Sequence, residues 1–290
     1  MKKVIVVILG VLILLVGLAL CSYPFVSNYL MSLNYESEIA EQEAAVEKSD
    51  ESTIKQAFKQ AETYNKNLLG TVILKDPFDP NFVPETDLVY EELLNLNNDS
   101  IMGSIEIPKI DVKIPIFHGT SQEVLLKGVG HLTNTSLPIG GKSTHAVLTG
   151  HTGVPNAVFF TDLDKLEKGD MFFIRVLNRT LAYKVDQIKV VLPTVTKDLL
   201  IADDKDYVTL ITCTPYGINS HRLLVRGTRV PYTETEIEKK KESIEKVEST
   251  WMSEYKRALI IGAAVFSAIV AVFVVFRILI LKQRKRKKVS

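Results

Sequence analysis

The run Thr209-Leu210-Ile211-Thr212-Cys213 is rich in β-formers and ends on a thiol. Nine residues after that thiol, a second β-rich run opens at His221-Arg222, and Pro215, Gly217 and Asn219 lie between. Two β-rich runs separated by turn residues read as a hairpin. A hairpin centred on Gly217-Ile218 sets Cys213 opposite Arg222, and directly opposed residues share a face with Cβ atoms about 5 Å apart. A guanidinium there stabilises negative charge on sulfur or on a developing oxyanion. The chain has two cysteines, and Cys21 lies in an apolar run, which leaves Cys213 as the single thiol of the polar middle. Outside a cell a single cysteine reads as a reactive thiol or an intermolecular bridge, although a free cysteine on a strand is often simply core. A proton carrier for that thiol has five candidates by residue type: His118, His131, His145, His151 and His221. Position alone does not separate them, except that His221 points to the opposite strand face from Arg222.

Two apolar runs flank these residues. Val4 to Leu20 follows Met1, Lys2 and Lys3 and continues more weakly to Phe25. It approaches the roughly 20 apolar residues that cross a bilayer. Its length and the lack of a clean small-x-small site favour an uncleaved anchor over 4–26; a cleaved signal peptide is the alternative. Leu18-Ala19-Leu20-Cys21 is similar to a lipidation site, but bulky Leu20 stands where a small residue is needed. The second run, Ala258 to Leu281, carries Arg277 near a basic end, Lys282 to Lys288. Basic flanks mark the cytoplasmic side, which predicts a two-pass protein of the cell membrane. Residues 1–3 and 282–290 are then cytoplasmic and everything between the spans is outside. Setting aside the eleven basic residues in or near these spans leaves 24 basic residues against 34 acidic, a net of −10. An acidic ectodomain excludes nucleic acid as a partner, because phosphate binding needs clustered Lys and Arg.

Between the spans, the Glu/Ala/Lys/Gln-rich stretch of 27–69 predicts one or two polar helices. Repeated Asp-Pro steps at Asp76-Pro77 and Asp79-Pro80, with Pro84, predict a loop and connection over 70–98. Over 99–232, short alternating runs with Gly and Pro punctuation predict a mainly β domain, a sandwich or barrel. Brief helical patches interrupt it at Gln122 to Leu126 and Val158 to Leu166. Residues 233–257 read as a charged, helix-like stalk. No His/Cys/acidic spacing suggests zinc and no loop has calcium-ligand alternation, so no metal or other cofactor is expected.

The block TLITC, with Arg222 nine residues on, resembles the signature of the sortases, and Leu148-Thr149-Gly150-His151-Thr152 resembles that family's histidine block. The likeness spans Leu94 to Val230 and includes HGTSQEVLLKGVGHL and SLPIGG. It implies an eight-stranded β-barrel and a cysteine transpeptidase. In that reading Cys213 is the nucleophile, His151 the general acid/base and Arg222 the stabiliser of oxyanion and substrate, with Thr212 as possible further oxyanion support. Class C, the pilin-polymerising sortases of Gram-positive bacteria, is the nearest likeness. Its members carry an Asp-Pro-aromatic lid before the barrel and a second membrane helix after it, matched here by Asp76-Pro77-Phe78 and 258–281. Asp79-Pro80 offers a second, non-aromatic triplet. The resemblance implies that Asp76 pairs with Arg222, that Phe78 covers Cys213, and that the partners are pilin subunits with an LPXTG-like sorting motif and an acceptor pilin lysine. The alternatives are a wall-anchoring sortase with a peptidoglycan amine as acceptor, and a non-enzymatic, membrane-tethered β-domain dimerising through Cys213.

Overall fold

Eight strands between Ile101 and Val230 hydrogen-bond in the closed order β1-β2-β3-β4-β7-β8-β6-β5 in a computed structural model that describes residues 2–68, 75–79, 88–153 and 159–289. They are β1 (Ile101–Ile107), β2 (Val112–His118), β3 (Val129–His131), β4 (Thr144–Thr149), β5 (Met171–Val176), β6 (Arg179–Val191), β7 (Asp206–Thr214) and β8 (His221–Val230). The β1–β5 ladder completes the circle, so the eight-stranded barrel has no free edge. Two neighbouring pairs are parallel, β2 with β3 and β4 with β7. A parallel pair needs a crossover, and for β2–β3 the short helix α4 (Gln122–Lys127) supplies it.

Ile105, Ile114, Ile116, Phe172, Ile174, Tyr183, Leu210 and Val225 belong to the main core. On β4, β7 and β8 the intervening residues are also buried: Val147, Ile211 and Leu224 form a second cluster with Leu132 and Leu199. These strands are therefore covered on both faces, which is why they read as continuous apolar runs.

Helix α1 (Lys2–Lys48) joins the first apolar run and the polar stretch without a break, with Pro24 inside it, so the expected boundary at 26/27 falls mid-helix. Apart from half-buried Pro24, its described apolar residues are exposed from Val4 to Leu30, whereas Met31 is half-buried against the core and Tyr35, Ile39, Gln42 and Val46 are buried at helical spacing. Helix α2 (Glu51–Asn67) starts at an Asp50 cap that accepts from Thr53 N at 2.6 Å. Buried Asn65 fastens α2 to the barrel, accepting from Leu137 N at 2.7 Å and donating to Leu137 O at 3.2 Å.

Part of the predicted 70–98 loop is a short helix, α3 (Leu88–Glu92), because Tyr90 is buried and hydrogen-bonded beneath it; Gly70, Pro80, Asn81 and Pro84 lie outside the described residues. The helical patch expected from Val158 to Leu166 is only a 3-10 turn at Leu163–Lys165, with Val158 outside the described residues. The first part of the expected stalk is helical and docks on the barrel. Helix α5 (Glu234–Ser243) starts at a Thr233–Glu236 capping box and buries Ile237 against Met171, Phe173 and Ala182. Lys241 pairs with Glu106 at 2.7 Å, and Val247 N donates to Lys109 O at 2.8 Å.

The chain divides into two units, 1–247 and 248–290. The second is helix α6 (Thr250–Val289), whose apolar residues are exposed from Ala258 to Ile280. Helices α1 and α6 are each long and apolar enough to cross a bilayer.

Candidate active site

The β7–β8 hairpin pairs Cys213 with Arg222, as the spacing predicts, and Thr214 with His221. Pro215 O accepts from Ile218 N at 3.0 Å and from Asn219 N at 2.9 Å, and Asn219 takes φ 60°, which closes the turn. That turn aims Arg222 by its carbonyls: one terminal guanidinium nitrogen donates to Asn219 O and His221 O, both at 3.0 Å. The other edge meets Asp76 side-on, Nε to Oδ1 at 2.8 Å and Nη2 to Oδ2 at 2.6 Å. This two-bond fork is the strong form of the arginine–carboxylate contact. Asp76 sits in a tight turn, with Asp79 N donating to its carbonyl at 3.2 Å and Phe78 N to its Oδ1 at 3.4 Å. Pro77 in that turn is buried.

Phe78 lies between the other groups. Its ring centroid is 5.1 Å from Arg222 Cζ and 5.4 Å from the His151 ring. His151 enters from the end of β4, which runs parallel to β7 with Thr149 beside Ile211. Gly150 N donates to Ile211 O and Phe160 N to His151 O, each at 3.1 Å. Phe78, Thr120, His151, Cys213, Asn219 and Arg222 all line one cleft of about 320 Å³. Cys213 and Arg222 are each 9% exposed.

Burial pushes the Cys213 thiol above its ordinary range; the Arg222 charge opposes that rise and the Asp76 charge adds to it. Burial also lowers the pKa of His151. For Arg222 burial opposes the charge, but the hydrogen bond to Asp76 and the negative charge that sulfur and carboxylate can carry outweigh it and hold the guanidinium charged. With the Asp76 turn closed, sulfur and imidazole are thus both held toward their neutral forms.

The structure separates the histidines that position could not. His131 Nδ1 faces Tyr90 OH and its Nε2 faces Ser136 O, both at 2.8 Å. His145 contacts Leu200 O and Thr209 Oγ1, and His118 lies between Ser100 O and Leu93 O. These three are structural, and burial pushes the pKa of both His131 and His145 down to about 4. His221 contacts Ser220 and faces away from the cleft.

Thr212 is not brought to the site. Strand residues alternate faces, so its side chain points away from that of Cys213, and its hydroxyl is buried without a hydrogen-bond partner. Of the second triplet, Asp79 lines the cleft and Pro80 lies outside the described residues. Thr120 and Asn219 line the cleft without having been singled out in the sequence. For Asn219 the turn composition held a clue; for Thr120 only the fold brings it there.

The family model described as the sortase domain matches residues 105–230. Sortase A of Staphylococcus aureus is 30% identical over 217 residues, covering 72% of this chain and 86% of that protein. Among solved structures, sortase C-1 from Actinomyces oris is 49% identical over 62% of this chain and 99% of its own, with a TM-score of 0.60. The pilus-related sortase C of Group B Streptococcus is 47% identical over 66% of this chain and 95% of its own, also at 0.60. Closed barrel, matching domain and aligned relatives agree: the chain belongs to the sortase family of transpeptidases, with class C sortases as its structural neighbours.

Proposed function

We propose that the chain is a class C sortase that cleaves an LPXTG-like sorting motif through a thioester on Cys213 and joins the product to a lysine of another pilin subunit. The observation that carries this reading is one cleft holding a thiol, an imidazole and a guanidinium behind an Asp-Pro-Phe turn. Cys213 attacks the scissile carbonyl while its proton passes to His151. Arg222 holds the resulting oxyanion. The C–N bond then breaks, the departing amine takes the proton from His151, and the thioester remains on Cys213. An acceptor lysine gives a proton to His151, attacks the thioester, and the regained proton returns to sulfur as the new amide forms.

Asp76, Pro77 and Phe78 act as the lid. The fork from Asp76 occupies the guanidinium that the oxyanion needs, so the turn must move before substrate can bind. A dimer through Cys213 is disfavoured, since a sulfur at the base of a covered cleft is poorly placed to meet a second copy. The catalytic barrel is read as 99–232, between spans at 4–26 and 258–281, with both termini cytoplasmic and the barrel outside. This topology rests on the two exposed apolar helices and on the basic residues beside them.

Incubating the protein with purified pilin should give a ladder of covalent oligomers. Mass spectrometry should find an acyl adduct on Cys213 after exposure to a sorting-motif peptide, with none in Cys213→Ala. Adduct without ladder, and transfer only to a peptidoglycan amine, would replace this reading with the wall-anchoring one; no adduct at all would end both.

A further inference from the structure

The His151 loop is held at three points by its root and by its own returning arm. Gly150 N donates to Ile211 O, Phe160 N to His151 O, and Gly153 N to Thr161 Oγ1, each at 3.1 Å. Phe160 packs so closely under the root that a methyl group on Gly150 would stand 2.8 Å from its ring. These ties fasten residues 150–153 to β7 and to Phe160 and Thr161. They do not reach the turn that follows Cys213.

Tyr216 does. It is the third residue after Cys213, in the β7–β8 turn, and its ring lies against Gly153, the second residue after His151. A methyl group on Gly153 would sit 3.1 Å from Tyr216 Cε2 and 3.3 Å from Cζ, so the ring fills the space where a side chain would stand. Gly153 also has φ +71°, a conformation that L side chains rarely adopt, so two constraints select glycine at this contact. Tyr216 is 55% exposed and contributes little to the barrel core. A half-exposed aromatic on a turn is ordinary by itself; this one joins the loop that carries the imidazole to the turn that follows the thiol.

We propose that Tyr216 is a positioning residue: its ring braces the His151 loop against the β7–β8 turn and so sets the separation of imidazole and sulfur. This rests on the reading of Cys213 and His151 as the reacting pair. Proton transfer between thiol and imidazole needs hydrogen-bond reach, and a misplacement of about 1 Å costs on the order of 100-fold in rate. The contact is made by ring carbons, so the ring and not the hydroxyl does the bracing.

The test uses the full-length protein in detergent with a sorting-motif peptide. In Tyr216→Ala, kcat for thioester formation should fall about 10- to 100-fold, with KM within about twofold and the thermal midpoint unchanged; Tyr216→Phe should restore the wild-type rate. Independently of turnover, with ¹⁵N-labelled histidine, the His151 ring signals should shift or broaden in Tyr216→Ala while those of His131 and His145 stay in place. A Tyr216→Ala protein with wild-type kcat and unmoved His151 signals would overturn the proposal. So would one in which all the histidines move and the thermal midpoint falls, since the ring would then only support the fold. If wild type itself forms no thioester, the functional reading fails, and the His151 signals still decide whether the brace exists.

Discussion

At the scale of single residues, Arg222 stands between two anions that need the same guanidinium: the Asp76 carboxylate that holds it and the oxyanion that the proposed reaction would form. The same carboxylate acts on Cys213, since its charge adds to the rise in thiol pKa that burial causes. Because the thiolate is the nucleophile, a raised pKa means less reactive sulfur at a given pH. Removing Asp76 takes away a charge that raises the pKa and leaves Arg222, which lowers it. In Asp76→Ala the pH profile of Cys213 alkylation by iodoacetamide should therefore move to lower pH, with a faster rate at pH 7. Burial likewise lowers the His151 pKa, which favours its neutral form at pH 7. Superimposable profiles for wild type and variant would show that the turn does not control the thiol.

Among the elements, α5 illustrates how a charged sequence can still dock. One buried residue, Ile237, inserts between Met171, Phe173 and Ala182, and Lys241 covers the Phe173 ring at 5.4 Å while pairing with Glu106. Burial of one large apolar side chain, with the ion pair at its edge, anchors a helix that is otherwise polar. Ile237→Ala should cost about 2–5 kcal/mol, the range for truncating a buried isoleucine, read as a lower urea midpoint. A loss under about 0.5 kcal/mol, within the spread of ordinary surface substitutions, would mean that the helix is not anchored there. The connector from α3 into β1 combines both kinds of contact: Leu93 and Leu94 are buried in the main core, and polar bonds from α3 add to them. Tyr90 OH contacts His131 at 2.8 Å and accepts from Gly119 N at 3.0 Å, while Leu94, Asn98 and Ser100 all take positive φ. Such backbone persists when its surroundings over-determine it.

For the molecule as a whole, two buried histidines link stability to pH. His131 and His145 have folded pKa values of about 4, from an ordinary value of 6.5, because burial penalises the imidazolium. The unfolded chain therefore binds their protons more readily, and the stability that they contribute is full above pH 6.5 and lost as pH falls toward 4. Each should remove about 1.4 kcal/mol per pH unit across that window. The urea midpoint should drop steadily from pH 6.5 to pH 4.5, and His131→Asn should flatten the slope by somewhat under half, because His151 is also lowered by burial and adds in the same direction. A midpoint independent of pH in that range would mean that neither ring is held neutral.

Turn chemistry and composition determined a good deal by themselves. Pro215, Gly217 and Asn219 set a hairpin whose register pairs Cys213 with Arg222 across nine residues, and the two apolar runs announced the long helices α1 and α6. These features depend on near neighbours in the chain, so they are legible in it. Tertiary structure decided the rest. His151 stands apart from the four other histidines because β4 runs parallel to β7 and delivers it to the cleft, a register set by packing on both faces of the strands and by no local pattern. Three barrel side chains, Met171, Phe173 and Ala182, captured α5, and Gly153 met Tyr216. In each case contacts between distant segments fixed the outcome, and their energy exists only once the barrel has closed.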